Sequence, residues 1–284
     1  MSGSSDLPDR LGPYVVEGLI VTSAFSRVFR ARDEALGRQV ALKVFHLTEA
    51  RAARLPYSWA DWRRRFIAEA RILARIDHPN VVRVEGLDFL ADHTPYMVMP
   101  WHVANLRVAI GRDTRDPKRL GRLPEAEHPR AVSPATARTI LREASLGLAA
   151  LHARNIVHRD LKPTNLLLTA RQGGTVRLCD LGMAKLPSEV ASSRGGVWIG
   201  TENYCAPEQR EDASRVTDRA DIYALGVLAY RLIAGRLPQG AFPPASELVA
   251  GLSGQWDKLV RDMMNPVAAG RPTAVQVAAR LAAL

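Results

Sequence analysis

Cysteine and lysine are both scarce in this 284-residue chain. Only Cys179 and Cys205 are present, so no disulfide framework holds the fold, and both are expected as buried thiols. No apolar run approaches the roughly 20 residues of a membrane-spanning helix. Met1 to Arg10 is polar and lacks the apolar core of a signal peptide. The expectation from these absences is a cytoplasmic protein without a membrane partner. Zinc-ligand spacing, an RNA-binding aromatic motif and heptads are also missing, and no internal repeat occurs at the usual periods.

Apolar residues make up 47% and charged residues 24%, the balance of a globular chain rather than a disordered one. The length is long for one core and short for two ordinary domains, which favours a two-lobed single unit. The net charge is +10, but basic residues are spread along the chain. The densest run, Arg63-Arg64-Arg65, falls on a predicted helix whose outer face would be solvated, so no nucleic-acid partner is expected. Lysine occurs at five positions only, 43, 118, 162, 185 and 258, against 34 arginines. Where arginine is the default cation, a lysine is worth noticing, because a compact ammonium and a guanidinium are not interchangeable at a site that needs one of them.

Residues 14 to 45 read as strands, with Gly37 at a hairpin turn between Arg27-Val-Phe-Arg-Ala and Val40-Ala-Leu-Lys-Val-Phe. From about 58 to 76 the period becomes helical, with Phe66, Ala70 and Leu73 on one face. Glu69 falls on that apolar side, where a carboxylate must find a cation or a donor. Val81 to Leu90 and Tyr96 to Met99 read as further strands. Residues 111 to 132 read as a charged surface loop and 133 to 153 as a helix capped by Ser133. Asp221 to Ala234 reads as a buried helix, with Asp221 compatible with an N-cap. Short helices interrupted by Pro266 and Pro272 follow. Strands with one helix come first and helices afterwards, so the fold class is α+β in two lobes.

Four segments carry chemistry: Val40-Ala-Leu-Lys43, His158-Arg-Asp-Leu-Lys-Pro-Thr-Asn165, Asp180-Leu-Gly182 and Ala206-Pro-Glu208. In identity, order and spacing they resemble the signature set of protein kinases, and the likeness runs from about residue 14 to 280. It implies the two-lobed kinase fold: a flexible segment over 1–13, a small lobe with an antiparallel sheet and one helix over about 14–100, a hinge over about 100–105, and a larger, mainly helical lobe over about 106–284. It further implies transfer of the γ-phosphoryl of ATP to protein hydroxyls, with magnesium, or alternatively manganese, as the metal. By resemblance, Lys43 contacts the nucleotide phosphates and pairs with Glu69. Asp160 accepts the proton of the substrate hydroxyl, Lys162 neutralises the γ-phosphate, and Asn165 and Asp180 hold the metal. Val21, Val28, Ala41, the gatekeeper Met99, Pro100 and His102 join the nucleotide-binding set.

The Leu-Lys-Pro-x-Asn form and Gly200-Thr201-x-x-Tyr204 resemble serine/threonine rather than tyrosine kinases, with Thr201 bridging Asp160 and Lys162. Glu208 resembles the family's buried glutamate and Arg271 its partner, while Asp221 resembles the residue that braces the catalytic loop. These favour a protein substrate over a small molecule, and the resemblance includes autophosphorylation. The resemblance extends weakly to bacterial kinases, since arginine and alanine are abundant.

The misfit lies in the nucleotide loop. Its three glycine positions hold Val21, Ser23 and Ser26. Glycine there permits positive φ and close approach to phosphate, so strain of about 1–2 kcal/mol per residue and weaker ATP binding are expected. The alternative reading of this loss is a pseudokinase scaffold. Leu181 replaces the usual phenylalanine, 111–132 resembles an insertion, and Arg159 beside Asp160 points to control through Ser188, Ser192 or Ser193. Substrate, pathway and oligomeric state are not indicated.

Overall fold

The structure, a computed structural model, describes residues 7–48, 52, 58–114, 120–170, 173–184, 203–212 and 215–284. The chain forms two compact units, Met1–His102 and Val103–Leu284.

The first unit is built on a six-stranded antiparallel sheet, in the order β1-β2-β3-β4-β6-β5. Its strands are β1 (Arg10–Leu11), β2 (Tyr14–Thr22), β3 (Ser26–Asp33), β4 (Arg38–Phe45), β5 (Gly86–Phe89) and β6 (Pro95–Pro100). Val40 to Phe45 is buried without a break, because β4 lies between β3 and β6 and is covered on both faces. One face closes over Leu11, Phe29, Ala31, Val40, Leu42, Val44, Tyr96 and Val98. Helix α1 (Trp59–Leu73) starts at a capping box in which Ser58 and Asp61 exchange side-chain and backbone bonds. It buries Trp62, Phe66, Glu69, Ala70 and Leu73, the face that the period predicts.

Two sequence expectations need correction here. Residues 1–6 lie outside the described residues, but the ordered sheet begins before residue 14. Arg10 and Leu11 pair with Val15 and Tyr14, and Leu11 is buried in the core. Gly12, at φ +57°, turns the chain between β1 and β2 where an added Cβ would stand 2.5 Å from the Tyr96 hydroxyl. The strand expected over 81–90 is confined to Gly86–Phe89. Val81, Val82 and Val84 are apolar because they are buried, and the Val81 N–H closes a turn on the His78 carbonyl.

The second unit is mainly helical. It contains α2 (Leu106–Ile110), α3 (Pro134–His152), α4 (Pro207–Glu211), α5 (Arg219–Ala234), α6 (Ala245–Leu248), α7 (Gly254–Met263) and α8 (Ala274–Ala283). A small sheet of β7 (Ala104–Asn105), β8 (Leu166–Leu168) and β9 (Val176–Leu178) is added. Ser133 caps α3 by accepting the Thr136 N–H. Helix α5 is apolar nearly all round and buried from Ala220 to Ile233 except at Tyr223. It opens at Asp218, and Asp221 stands inside its first turn. Asp221 is therefore not the N-cap; its carboxylate is used elsewhere.

Candidate active site

In the first unit the strand register assembles one group of predicted residues. Val21 pairs with Val28, Val28 with Lys43 and Ala41 with Met99. Directly opposed residues of antiparallel strands share a face, as do residues two apart on one strand. Val21, Val28, Ala41, Lys43 and Met99 thus stand on one face of the sheet. Pro100 pairs with Val40, and His102 follows β6 in a half-buried position.

Lys43 is 8% exposed and Glu69 only 2%. The ammonium donates to both carboxylate oxygens, at 2.8 and 3.0 Å, and lies 5.9 Å from the Phe66 ring centroid. The inward carboxylate of α1 has its cation. Desolvation makes such a pair costly to break, since removing one partner strands a buried charge.

The expected strain in the glycine-free loop is absent. Among the described residues, positive φ outside glycine occurs at His93, Asn155, Arg159 and Asp180, and not at Val21, Ser23 or Ser26. The loop takes another path. Ser23 Oγ accepts the N–H groups of Phe25 (3.2 Å) and Ser26 (3.0 Å) and lies 3.1 Å from the Ser26 carbonyl oxygen, to which it donates. The Ser23 N–H in turn donates to that same carbonyl. A serine turn of this kind closes with ordinary backbone angles.

In the second unit the catalytic-loop residues converge. Lys162 Nζ donates to Asp160 Oδ2 at 2.7 Å, and Asn165 Nδ2 donates to the same oxygen at 3.0 Å and to the Asp160 carbonyl at 2.8 Å. With its amide nitrogen occupied, Asn165 has Oδ1, which accepts from the Thr164 hydroxyl at 3.3 Å and keeps a second lone pair for a cation. The Cys179 N–H donates to the Asn165 carbonyl at 3.0 Å, which brings Asp180 alongside. Arg159 and Asp180 both adopt left-handed backbone, each at φ 66°, a conformation that a non-glycine residue holds only when its surroundings impose it.

For Arg159 those surroundings are visible. Asp221, 1% exposed, accepts the N–H groups of His158 and Arg159, both at 2.8 Å. His152 Nε2 lies 2.8 Å from Asp221 Oδ2, and Gln209 donates to the Arg159 carbonyl at 2.8 Å. Burial pushes the Asp221 carboxyl up, but the hydrogen bonds and positive charge around it prevail and hold it below the ordinary aspartate value. Glu208 and Arg271 form a two-pronged pair at 2.7 and 2.9 Å. Leu181 and His158 are buried. The sequence reading missed His152 and Gln209, which carry no motif. It also missed Asp113, which accepts from the Tyr204 hydroxyl at 2.7 Å and from Arg231 at 2.6 Å. Thr201, Ser188, Ser192 and Ser193 lie outside the described residues.

Magnesium prefers oxygen donors and is usually held by one or two carboxylates completed by substrate phosphates. Asn165 Oδ1 and the Asp180 carboxylate fit that donor set. Among the described residues no cluster of three or more His, Cys, Asp or Glu could hold a metal by itself. No helix among the described residues is long and apolar enough to cross a membrane.

The profile of the protein kinase domain family matches residues 14–280. The chain is similar to the serine/threonine-protein kinase pkn2 of Myxococcus xanthus, at 34% identity over 81% of this chain and 26% of that protein. It is likewise similar to the DNA damage-responsive serine/threonine-protein kinase RqkA of Deinococcus radiodurans, at 37% identity over 80% of this chain and 30% of the relative. The chain thus spans less than a third of the length of these two relatives. The kinase domain of Mycobacterium tuberculosis PknI has the same fold, with a TM-score of 0.66 at 24% identity, over 96% of this chain and 97% of that one. The chain belongs to the protein kinase domain family, and its relatives place it among the bacterial serine/threonine type.

Proposed function

We propose that this chain transfers the γ-phosphoryl group of ATP to serine or threonine hydroxyls of proteins. The observation that carries this reading is the Asp160 carboxylate, 9% exposed, with Lys162 and Asn165 both bound to Oδ2. Oδ1 is left to accept the proton of an incoming hydroxyl. The two donors fix the carboxylate orientation, which matters because phosphoryl transfer depends mostly on positioning and charge neutralisation. Lys162 supplies a compact positive charge beside the reacting oxygen. In the first unit Lys43, aimed by Glu69, is the contact for the nucleotide phosphates, and the face formed by Val21, Val28, Ala41 and Met99 is the apolar surface for adenine, with Pro100 and His102 offering backbone groups. Asn165 Oδ1 and Asp180 would hold magnesium, which supplies charge neutralisation at the phosphates when bound.

A scaffold without catalysis is not favoured. Its only support is the missing glycines, while the Lys43–Glu69 pair and the Asp160 network are intact. The test is transfer of labelled γ-phosphate from ATP with magnesium, to a generic basic protein and to the chain itself. Wild type should incorporate label, and Asp160→Asn should lose it by about 100-fold or more, the range associated with removing a general base. Equal labelling of the two proteins would overturn the assignment.

A further inference from the structure

The tip of the glycine-free loop is gripped from two sides within the first unit. The Phe25 ring stacks on Trp62, with centroids 3.9 Å apart and planes inclined by 19°. The Phe25 carbonyl accepts the His46 N–H at 2.8 Å, just past the end of β4. The Ser23 turn directs this arrangement, since it ties up the Phe25 and Ser26 N–H groups. Backbone N–H groups of such a loop are what a phosphate would otherwise use. Two of them are already spent on a serine side chain, so the loop is held in place by its aromatic tip and not by adaptable backbone.

Trp62, 3% exposed, belongs to α1, four residues before Phe66 and seven before Glu69. These positions share one helix face. Phe66 lies under the Lys43 ammonium and packs edge-on against Phe45 at 5.7 Å. Phe45 itself pairs with Ser26 across the sheet. The loop tip, the helix that aims Glu69 and the strand that carries Lys43 therefore form one closed set of contacts, two of them between rings and the third through the backbone. A displacement of α1 that parts Glu69 from Lys43 must also pull Trp62 from Phe25.

We propose that Phe25 and Trp62 form a latch coupling the nucleotide loop to the helix that carries Glu69, and that both are positioning residues for ATP. The proposal rests on the kinase reading above. It assigns to aromatic stacking the loop placement that glycine freedom serves in relatives, and it makes ATP binding and the Lys43–Glu69 pair mutually reinforcing.

The test compares wild type with Phe25→Ala, Trp62→Ala, the double variant and the conservative Trp62→Phe. The readouts are steady-state transfer, direct binding of a fluorescent ATP analogue, and thermal unfolding. Each alanine variant should raise the KM for ATP and the analogue Kd by about 3- to 10-fold, the factor an aromatic pair supplies. The KM for the protein substrate should stay unchanged. The double variant should be no worse than either single one, because each alone opens the latch, and Trp62→Phe should recover most of the affinity. Phe25 sits half-exposed on a turn, so Phe25→Ala leaves the core intact and keeps the test valid should Trp62→Ala unfold. Additive effects, parallel rises in both KM values, or unchanged ATP affinity in Phe25→Ala would each overturn the latch while leaving the kinase reading standing. A wild type that neither binds the analogue nor transfers label would overturn both.

Discussion

Ser23 Oγ accepts two backbone N–H groups and donates one proton, which saturates a hydroxyl. By resemblance to the kinase nucleotide loop this is one of the glycine positions, so two substitutions probe it in opposite senses. Ser23→Ala removes the acceptor, leaving the exposed Phe25 N–H to water and the part-buried Ser26 N–H without this partner, at a cost of about 1 kcal/mol given the modest net value of such bonds. Ser23→Gly restores the family residue, and if the loop needed positive φ it would tighten ATP binding. It does not need it: Ser23 is not among the positive-φ residues. Glycine would then only add unfolded-chain entropy. Both variants should lower the urea midpoint with an unchanged m-value and raise the KM for ATP severalfold, with Ser23→Gly no better than Ser23→Ala. Tighter ATP binding by Ser23→Gly would show that the serine turn hinders the nucleotide rather than placing the loop.

At the scale of elements, α5 and the catalytic loop act as one piece through Asp221. Its carboxyl is held below the ordinary aspartate value despite full burial. A depressed folded pKa contributes stability that is present above the unfolded value, about 4, and is lost as pH falls through the folded value. Acid unfolding should therefore include an Asp221 contribution that starts below pH about 4 and disappears in Asp221→Asn. The asparagine keeps one acceptor for the three donors of His152, His158 and Arg159. It should lower kcat by about 10-fold or more, as expected for lost hydrogen bonds to a charged group, and leave the KM for ATP nearly unchanged. A stability–pH curve identical to wild type would exclude this role. The catalytic loop was readable from residue types because phosphoryl transfer admits few substitutes for lysine, aspartate and asparagine at those spacings. The Lys43–Glu69 pair was readable because a carboxylate on an apolar helix face demands a cation. The path of the nucleotide loop was not: absent glycines imply strain only if the backbone angles stay the same, and Ser23 changes them. The start of the sheet at Arg10 was hidden because a two-residue strand has no period to detect.

For the whole chain, the segment over 111–132 had no role on sequence grounds, since its partners lie far away. Asp113 receives Tyr204 from 91 residues on and Arg231 from 118 residues on. The Arg231 side chain is wholly buried, and it also donates to the carbonyls of Ile110 (2.8 Å) and Arg130 (3.1 Å). Burial, and then the Asp113 charge, raise the Tyr204 hydroxyl well above its ordinary pKa, so it stays a donor at neutral pH. Three separated stretches of the second unit thus meet at one buried ion pair, and the segment that looked like an insertion supplies the carboxylate that pairs with Arg231. Asp113→Ala would strand a buried guanidinium and should cost about 3 kcal/mol, a large share of the 5–15 kcal/mol typical of a domain. Tyr204→Phe removes one neutral donor and should cost about 1 kcal/mol. The decisive comparison is Asp113→Leu combined with Arg231→Met, which removes both charges together. Because a stranded charge is worse than no charge, the double variant should be more stable in urea than Asp113→Ala. If it is less stable, the pair holds the unit together by attraction beyond its desolvation cost, and the segment over 111–132 is a clamp rather than a neutraliser of Arg231.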